Sequence, residues 1–223
     1  MSRDLKFWNG IAESYAKKKI GNVPAYERKL VITKDRLRPE HRVLDIGCGT
    51  GSLALELAPH VAHVDAVDVS SEMVRIARGK AEASATKNVT FHVGTLEEQA
   101  FEDAGYDVVC AYNILHLVPD REGTLGLLRR LLKPGGLFVS STVCLGGTWF
   151  PPYPLIIPIM QWVGKAPSVQ FVSPKAMTDE VRDAGFANVT RHDVGAAETT
   201  LFLTAQRPPL SEHQQASERP AAP

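Results

Sequence analysis

Residues 43–51 read Val-Leu-Asp-Ile-Gly-Cys-Gly-Thr-Gly, an apolar run that ends on three alternate glycines and is followed by the helix-forming stretch 52–58. This pattern delivers a buried strand to a tight turn, where glycines permit positive φ and let backbone approach a ligand closely. The following helix opens with unpaired N–H groups aimed at the same spot. A second apolar run, residues 63–67, leads straight into Asp68. A carboxylate at the end of the second strand, about 20 residues past the loop, is where a ribose hydroxyl pair is held. The glycines fall at Gly47, Gly49 and Gly51, and Ser52 stands where a dinucleotide fingerprint has its third glycine. That spacing disfavours a nicotinamide enzyme. Asp45, two residues before the first glycine, makes the site negative and suits a cationic nucleoside better than a pyrophosphate.

The rest of the chain repeats the alternation of strand and helix that builds a parallel α/β sheet. Strands are expected over residues 42–46, 63–67, 88–93, 106–112 and 137–142. Ser70 is placed as an N-cap, with Met73, Val74, Ile76 and Ala77 on the inner face of its helix. Leu125, Leu128, Leu131 and Leu132 mark another helix, which Lys133-Pro134-Gly135-Gly136 should turn sharply into the fifth strand. Helices over 5–18 and 24–37 precede this core, with Pro24 near a helix start. A helix over 174–184, ended by Gly185, and two strands over 188–194 and 200–206 follow it, the strands forming an antiparallel pair at one sheet edge. We expect a single domain over 1–206, with a helical cap over 1–39, an apolar insertion over 144–172, and a disordered tail over 207–223 rich in Pro, Ala, Ser, Glu and Gln.

The nine residues 43–51 closely resemble motif I of the class I S-adenosylmethionine (SAM)-dependent methyltransferases. Downstream segments agree in order and spacing: Asp68-Val69-Ser70, Gly94-Thr95-Leu96-Glu97, Tyr106-Asp107-Val108-Val109 and Leu132-Lys133-Pro134-Gly135-Gly136. Within that family the chain is similar to the small methyltransferases of ubiquinone and menaquinone biosynthesis. The resemblance implies a Rossmann-like, seven-stranded, mostly parallel sheet with helices on both faces, and SAM as cofactor. It also implies roles. Gly47 and Gly49 would pass backbone against the methionyl part, with Gly51 completing the cofactor-binding loop and Asp45 near the ammonium. Asp68 would hold both ribose hydroxyls, and Val69 would pack on adenine. Leu96 would offer its N–H to the adenine edge beside Thr95, which replaces the aspartate of many relatives. Asn113 would line the methyl-donor side.

Methyl transfer to an activated carbon needs positioning and desolvation before it needs a side-chain nucleophile. His116, just past the fourth strand, is the candidate base, against the simpler reading of a structural histidine between Leu115 and Leu117. Tyr15 is the second candidate, on a helix expected to close over the cofactor, although Phe7, Trp8, Ile11 and Tyr15 also form an ordinary apolar stripe. Residues 148–163, Thr-Trp-Phe-Pro-Pro-Tyr-Pro-Leu-Ile-Ile-Pro-Ile-Met-Gln-Trp-Val, suit a wall for a small apolar or aromatic acceptor, and equally core filling or a dimer surface. His60 and His63 lack a neighbouring carboxylate or thiol cluster, so no metal is expected. Cys48 reads as packing.

Other readings stay open. A SAM-fold enzyme of different chemistry, such as aminopropyl transfer, would want several acids around a polyamine, and no such cluster is visible in the sequence. A SAM-binding partner or regulatory subunit without turnover would keep the same loop and Asp68.

With 223 residues, 25 basic against 25 acidic, the chain suits one domain and carries no overall charge bias toward nucleic acid. Its charged first residues do not read as a secretory signal, and its three cysteines fit a reducing compartment, so a cytoplasmic monomer or homodimer is expected. Residues 134–164 lack charge, but eight glycines and prolines between 135 and 158 interrupt them, so no stable membrane insertion is expected.

Overall fold

The computed structural model describes residues 3–146, 157, 160–161 and 166–209. Its centre is a seven-stranded sheet of order β3-β2-β1-β4-β5-β7-β6. The strands are β1 (Arg42–Ile46), β2 (His63–Asp68), β3 (Val89–Val93), β4 (Tyr106–Tyr112), β5 (Leu132–Val143), β6 (Ala187–Arg191) and β7 (Thr200–Gln206). The first five pair in parallel, while β7 runs antiparallel to both β5 and β6. The helices are α1 (Arg3–Lys17), α2 (Val23–Lys34), α3 (Ser52–Leu57), α4 (Ser71–Ala83), α5 (Arg121–Leu131) and α6 (Pro174–Asp183).

Strand β1 is apolar almost throughout because both of its faces are covered. Leu44 and Ile46 enter the core closed by Leu125, Leu128 and Leu131 of α5 and by Met177 and Val181 of α6. Val43 enters the other, closed by Leu30 of α2, by Leu53, Ala54 and Leu57 of α3, and by Val74 and Ala77 of α4. The doubly covered sheet expected from the sequence is therefore present. Asp65 crosses this apolar interior only because it is satisfied: His92 Nε2 lies at 2.9 Å, and the Tyr106 hydroxyl donates at 3.1 Å.

Caps fix the helix starts. The Ser70 hydroxyl accepts the Met73 N–H at 3.2 Å, as expected, and Asn22, Asp120 and Ser173 do the same for α2, α5 and α6. On α4, Met73, Val74 and Ala77 are buried, whereas Ile76 is only partly so.

Three boundaries differ from expectation by three residues or more. Helix α2 ends at Lys34 rather than at 37, and β6 stops at Arg191 rather than at 194. The Pro-Gly-Gly turn is absorbed into β5, which begins at Leu132 directly after α5. Partners step from Tyr106–Leu132 to Val108–Leu137, so residues 133–136 bulge out of the ladder. The bulge is pinned from the other side, where Gly135 N–H donates to Arg207 C=O and Arg207 N–H donates to Gly136 C=O, both at 2.9 Å. Among the described residues no helix is long and apolar enough to cross a membrane. The aromatic run 148–163, save Ile157, Met160 and Gln161, and the tail from 210 onward lie outside the described residues.

Candidate cofactor and acceptor cavity

A cavity of about 780 Å³ opens at the C-terminal ends of β1 to β4. The loop after β1 forms its floor. Gly47 and Gly49 line it, with φ of +62° and +53°. A side chain at Gly49 would project into open space, its nearest neighbour being the Tyr15 ring at 3.8 Å, so this backbone is a cradle left free for a ligand. Gly51 does not line the cavity. It caps α3 at φ +74°, where a Cβ would meet Ala77 Cβ at 2.8 Å and the Phe91 ring at 2.9 Å. It serves close packing behind the loop.

Asp68 holds the loop in place. One carboxylate oxygen accepts the Gly49 N–H and the other the Ser70 N–H, both at 2.8 Å. Burial raises its pKa, and these two backbone donors oppose the rise. Each oxygen keeps capacity for a further hydrogen bond, and Asp68 lines the cavity together with Val69, Thr95 and Leu96. The Thr95 N–H is taken by the Glu98 carboxylate at 2.8 Å, so Glu98 shapes the turn after β3. On the far side of β1 the wall is made by Tyr112, Asn113, Ile114, Leu117, Val118 and Pro119. Asn113 adopts φ +55°, an unusual conformation for a non-glycine residue, and its N–H donates to Ser141 C=O at 2.6 Å.

Helix α1 covers the mouth. Asp4, Leu5, Trp8 and Tyr15 line the cavity from above, and Trp8 meets the Tyr15 ring edge-on at 6.4 Å. Asn9 fastens the helix by accepting the Ser70 hydroxyl at 2.7 Å, and Asp4 accepts the Ser168 N–H at 3.0 Å. Burial, then the charge of Asp68, raises the Tyr15 pKa, so its phenol stays protonated.

Besides Gly51, two expected site residues lie outside the lining. His116 is not among the lining residues; burial lowers its pKa to about 4, which leaves a neutral imidazole with weak affinity for a proton. Asp45 lies beneath the loop, 1 % exposed, accepting the Ala54 N–H on one oxygen while Oδ2 has no partner among the described residues. Burial, then the charge of Asp68, pushes its pKa up to about 8. The folded state therefore binds a proton that the unfolded chain gives up near pH 4, and this contribution to stability is lost as pH rises from about 4 through 8. Asp45→Asn should flatten this slope: the wild type loses stability between pH 5 and pH 8 by at least about 1 kcal/mol more than the variant. Denaturant titrations at the two pH values measure it, and parallel curves would refute it.

The cavity also gathers residues that are scattered along the sequence. Trp8 and Glu98 gave no separate signal, although Trp8 and Tyr15 share a helical face at two-turn spacing. Asp4, Asp68, Glu97, Glu98 and Asp120 all line one volume, so the chain does assemble an acidic cavity where the sequence showed no cluster. Among the described residues no group of side chains suited to hold a metal ion occurs.

A model of the methyltransferase domain matches residues 37–189, more than half of the chain and all of the sheet up to β6. The chain belongs to that methyltransferase family. It is 36% identical over 110 residues to an uncharacterized methyltransferase, YcgJ, of Bacillus subtilis, which covers 49% of this chain and 44% of that protein. It is 39% identical over 103 residues to a ubiquinone biosynthesis O-methyltransferase of Aromatoleum aromaticum, covering 46% and 44%. The matches thus span less than half the length of these relatives. A solved phosphoethanolamine N-methyltransferase 2 of Haemonchus contortus in complex with S-adenosyl-L-methionine has the same fold, at a TM-score of 0.68 and 19% identity, over 82% of this chain and 53% of that one. The cofactor of this methyltransferase domain is SAM. The residues present fit it: an open glycine cradle, a carboxylate with free lone pairs one strand away, and a negative lining for a cation.

Proposed function

We propose that this methyltransferase moves the methyl group of SAM onto a small apolar or aromatic acceptor. The observation that carries the reading is continuity: one cavity joins the glycine cradle and Asp68 to an apolar end formed by Leu5, Trp8, Ile114, Leu117, Val118, Pro119 and Pro167. Sheet order sorts the two halves. Residues after β1, β2 and β3 lie on one side and would hold the nucleoside, with Asp68 on the ribose and Val69 and Leu96 on the adenine. Those after β4 lie on the other and would face the acceptor, with Asn113 at the junction.

When bound, SAM would supply an electrophilic methyl group to a lone pair of the acceptor and would leave as S-adenosylhomocysteine. The chain contributes alignment and exclusion of water, through α1 above and the β4 loop beside the site. The placement and low pKa of His116 argue against giving it the acceptor's proton. Tyr15 acts through its ring, which faces the loop at Gly49. Tyr15→Phe should keep the KM for SAM within about twofold, and Tyr15→Ala should raise it about fivefold, the worth of an aromatic–cation contact near 1 kcal/mol. A large effect of Tyr15→Phe would instead assign the role to the hydroxyl.

The deciding experiment offers SAM with phenols, amines, thiols and isoprenoid quinols and measures S-adenosylhomocysteine. Formation above the acceptor-free background with an apolar or aromatic member supports the reading. SAM binding with no product from any acceptor would favour a binding protein without turnover.

A further inference from the structure

At the opposite, N-terminal end of the strands lies a second concavity, of about 320 Å³, between the end of α2 and the β5 bulge. Arg36, Arg38, His41 and Lys133 line it, with Asp107 and residues 134–136. Asp107 is the one carboxylate in this lining, and it is already engaged: Lys133 Nζ lies 2.8 Å from both of its oxygens, and the Arg42 N–H donates to it at 2.8 Å. Burial would raise the Asp107 pKa, but Lys133, the Arg42 N–H and the nearby His41 outweigh it and hold the group ionised.

The two guanidinium groups have no such partner. Arg36 and Arg38 are exposed, and neither side chain makes an ion pair or hydrogen bond among the described residues. His41 Nδ1 is buried without a hydrogen-bond partner. Asp35 and Glu40, the acids of the same segment, do not line the concavity, and the Arg207 guanidinium is spent on the Arg130 and Leu132 carbonyls. Charge complementing α2 does not account for the surplus. A helix C-terminus carries roughly half a negative charge, and Lys34 already stands in its last turn.

We propose that this concavity binds a small, multiply charged oxyanion of the phosphate or pyrophosphate class. Arg36 and Arg38 supply planar forks that match phosphoryl oxygens in pairs, Lys133, its charge balanced by Asp107, keeps a third N–H to donate, and His41 adds its ring to the lining. The size suits a small ligand rather than a polymer. The site is remote from the SAM cavity and shares no lining residue with it.

Calorimetry with inorganic pyrophosphate at fixed ionic strength tests this on the full chain. The wild type should bind saturably, and Arg36→Ala/Arg38→Ala should bind about tenfold more weakly or less. SAM affinity should be equal in both proteins, which also verifies that the variant is folded. No saturable binding at millimolar pyrophosphate, or equal affinity in the variant, would overturn the proposal. So would binding of a single-stranded oligonucleotide while pyrophosphate stays silent.

Discussion

Asp68→Ala will weaken SAM binding by about 1.5–3 kcal/mol, the worth of hydrogen bonds to a charged acceptor, or at least about tenfold in Kd. The carboxylate is placed to do two things at once. It accepts the Gly49 and Ser70 N–H groups, which sets the loop, and it lines the cavity with capacity left on each oxygen for a ligand hydroxyl. Alanine removes both functions, leaving two N–H groups without their acceptor. Asp68→Asn is no gentle substitute, because either orientation of the amide turns its NH₂ against one of those donors. Both variants should therefore lose affinity for SAM and for S-adenosylhomocysteine alike, since the ribose is common to the two. Calorimetric titration measures this, and an unchanged Kd in Asp68→Ala would remove the residue from its assigned role.

Gly51→Ala will destabilise the fold by about 2–4 kcal/mol, combining the cost of a non-glycine residue at positive φ with overpacking of a tight site. The new Cβ would meet Ala77 Cβ at 2.8 Å and the Phe91 ring at 2.9 Å, and both neighbours belong to the core between the sheet and α4. Neither is the loose end of a flexible chain. Gly47→Ala makes the informative contrast. It shares the positive φ, and its Cβ would strike Ile114 at the cavity wall, Cγ1 at 2.6 Å and Cβ at 2.8 Å. Both variants should lower the melting temperature before any ligand is added, and Gly47→Ala should in addition lose SAM affinity, because only Gly47 lines the cavity. Loss of SAM affinity in a folded Gly51→Ala but not in Gly47→Ala would mean that the two glycines have exchanged roles.

The fold was legible because local signals agreed. Val43 to Ile46 is apolar enough for burial on both faces, Ser70 caps α4, and Gly185, at φ +84°, ends the segment after α6. The Pro-Gly-Gly segment misled for a physical reason: local turn chemistry says that the ladder is interrupted, while pairing with residues after β7 keeps the bulge within the strand. Within the site, residues fixed by backbone demands were readable, such as Gly47, Gly49 and the carboxylate that follows β2. Side-chain direction was not. Asp45 sits one residue before Ile46, which lines the cavity, and alternation along the strand sends its carboxylate to the other face. The acidic lining was hidden because Asp4, Glu97, Glu98 and Asp120 come from three separate segments that only tertiary structure brings together.

The position of β7 has a consequence for how the chain is made. This late strand lies inside the sheet, between β5 and β6, and gives Leu201 and Leu203 to one core and Phe202 to the other. During synthesis every parallel strand leaves the ribosome before it. Until residue 206 emerges, β5 presents an open hydrogen-bonding edge and an apolar surface with no partner. Closure of both cores is thus postponed to the last strand, and a nascent chain stalled before that point would be a species for chaperones to shield.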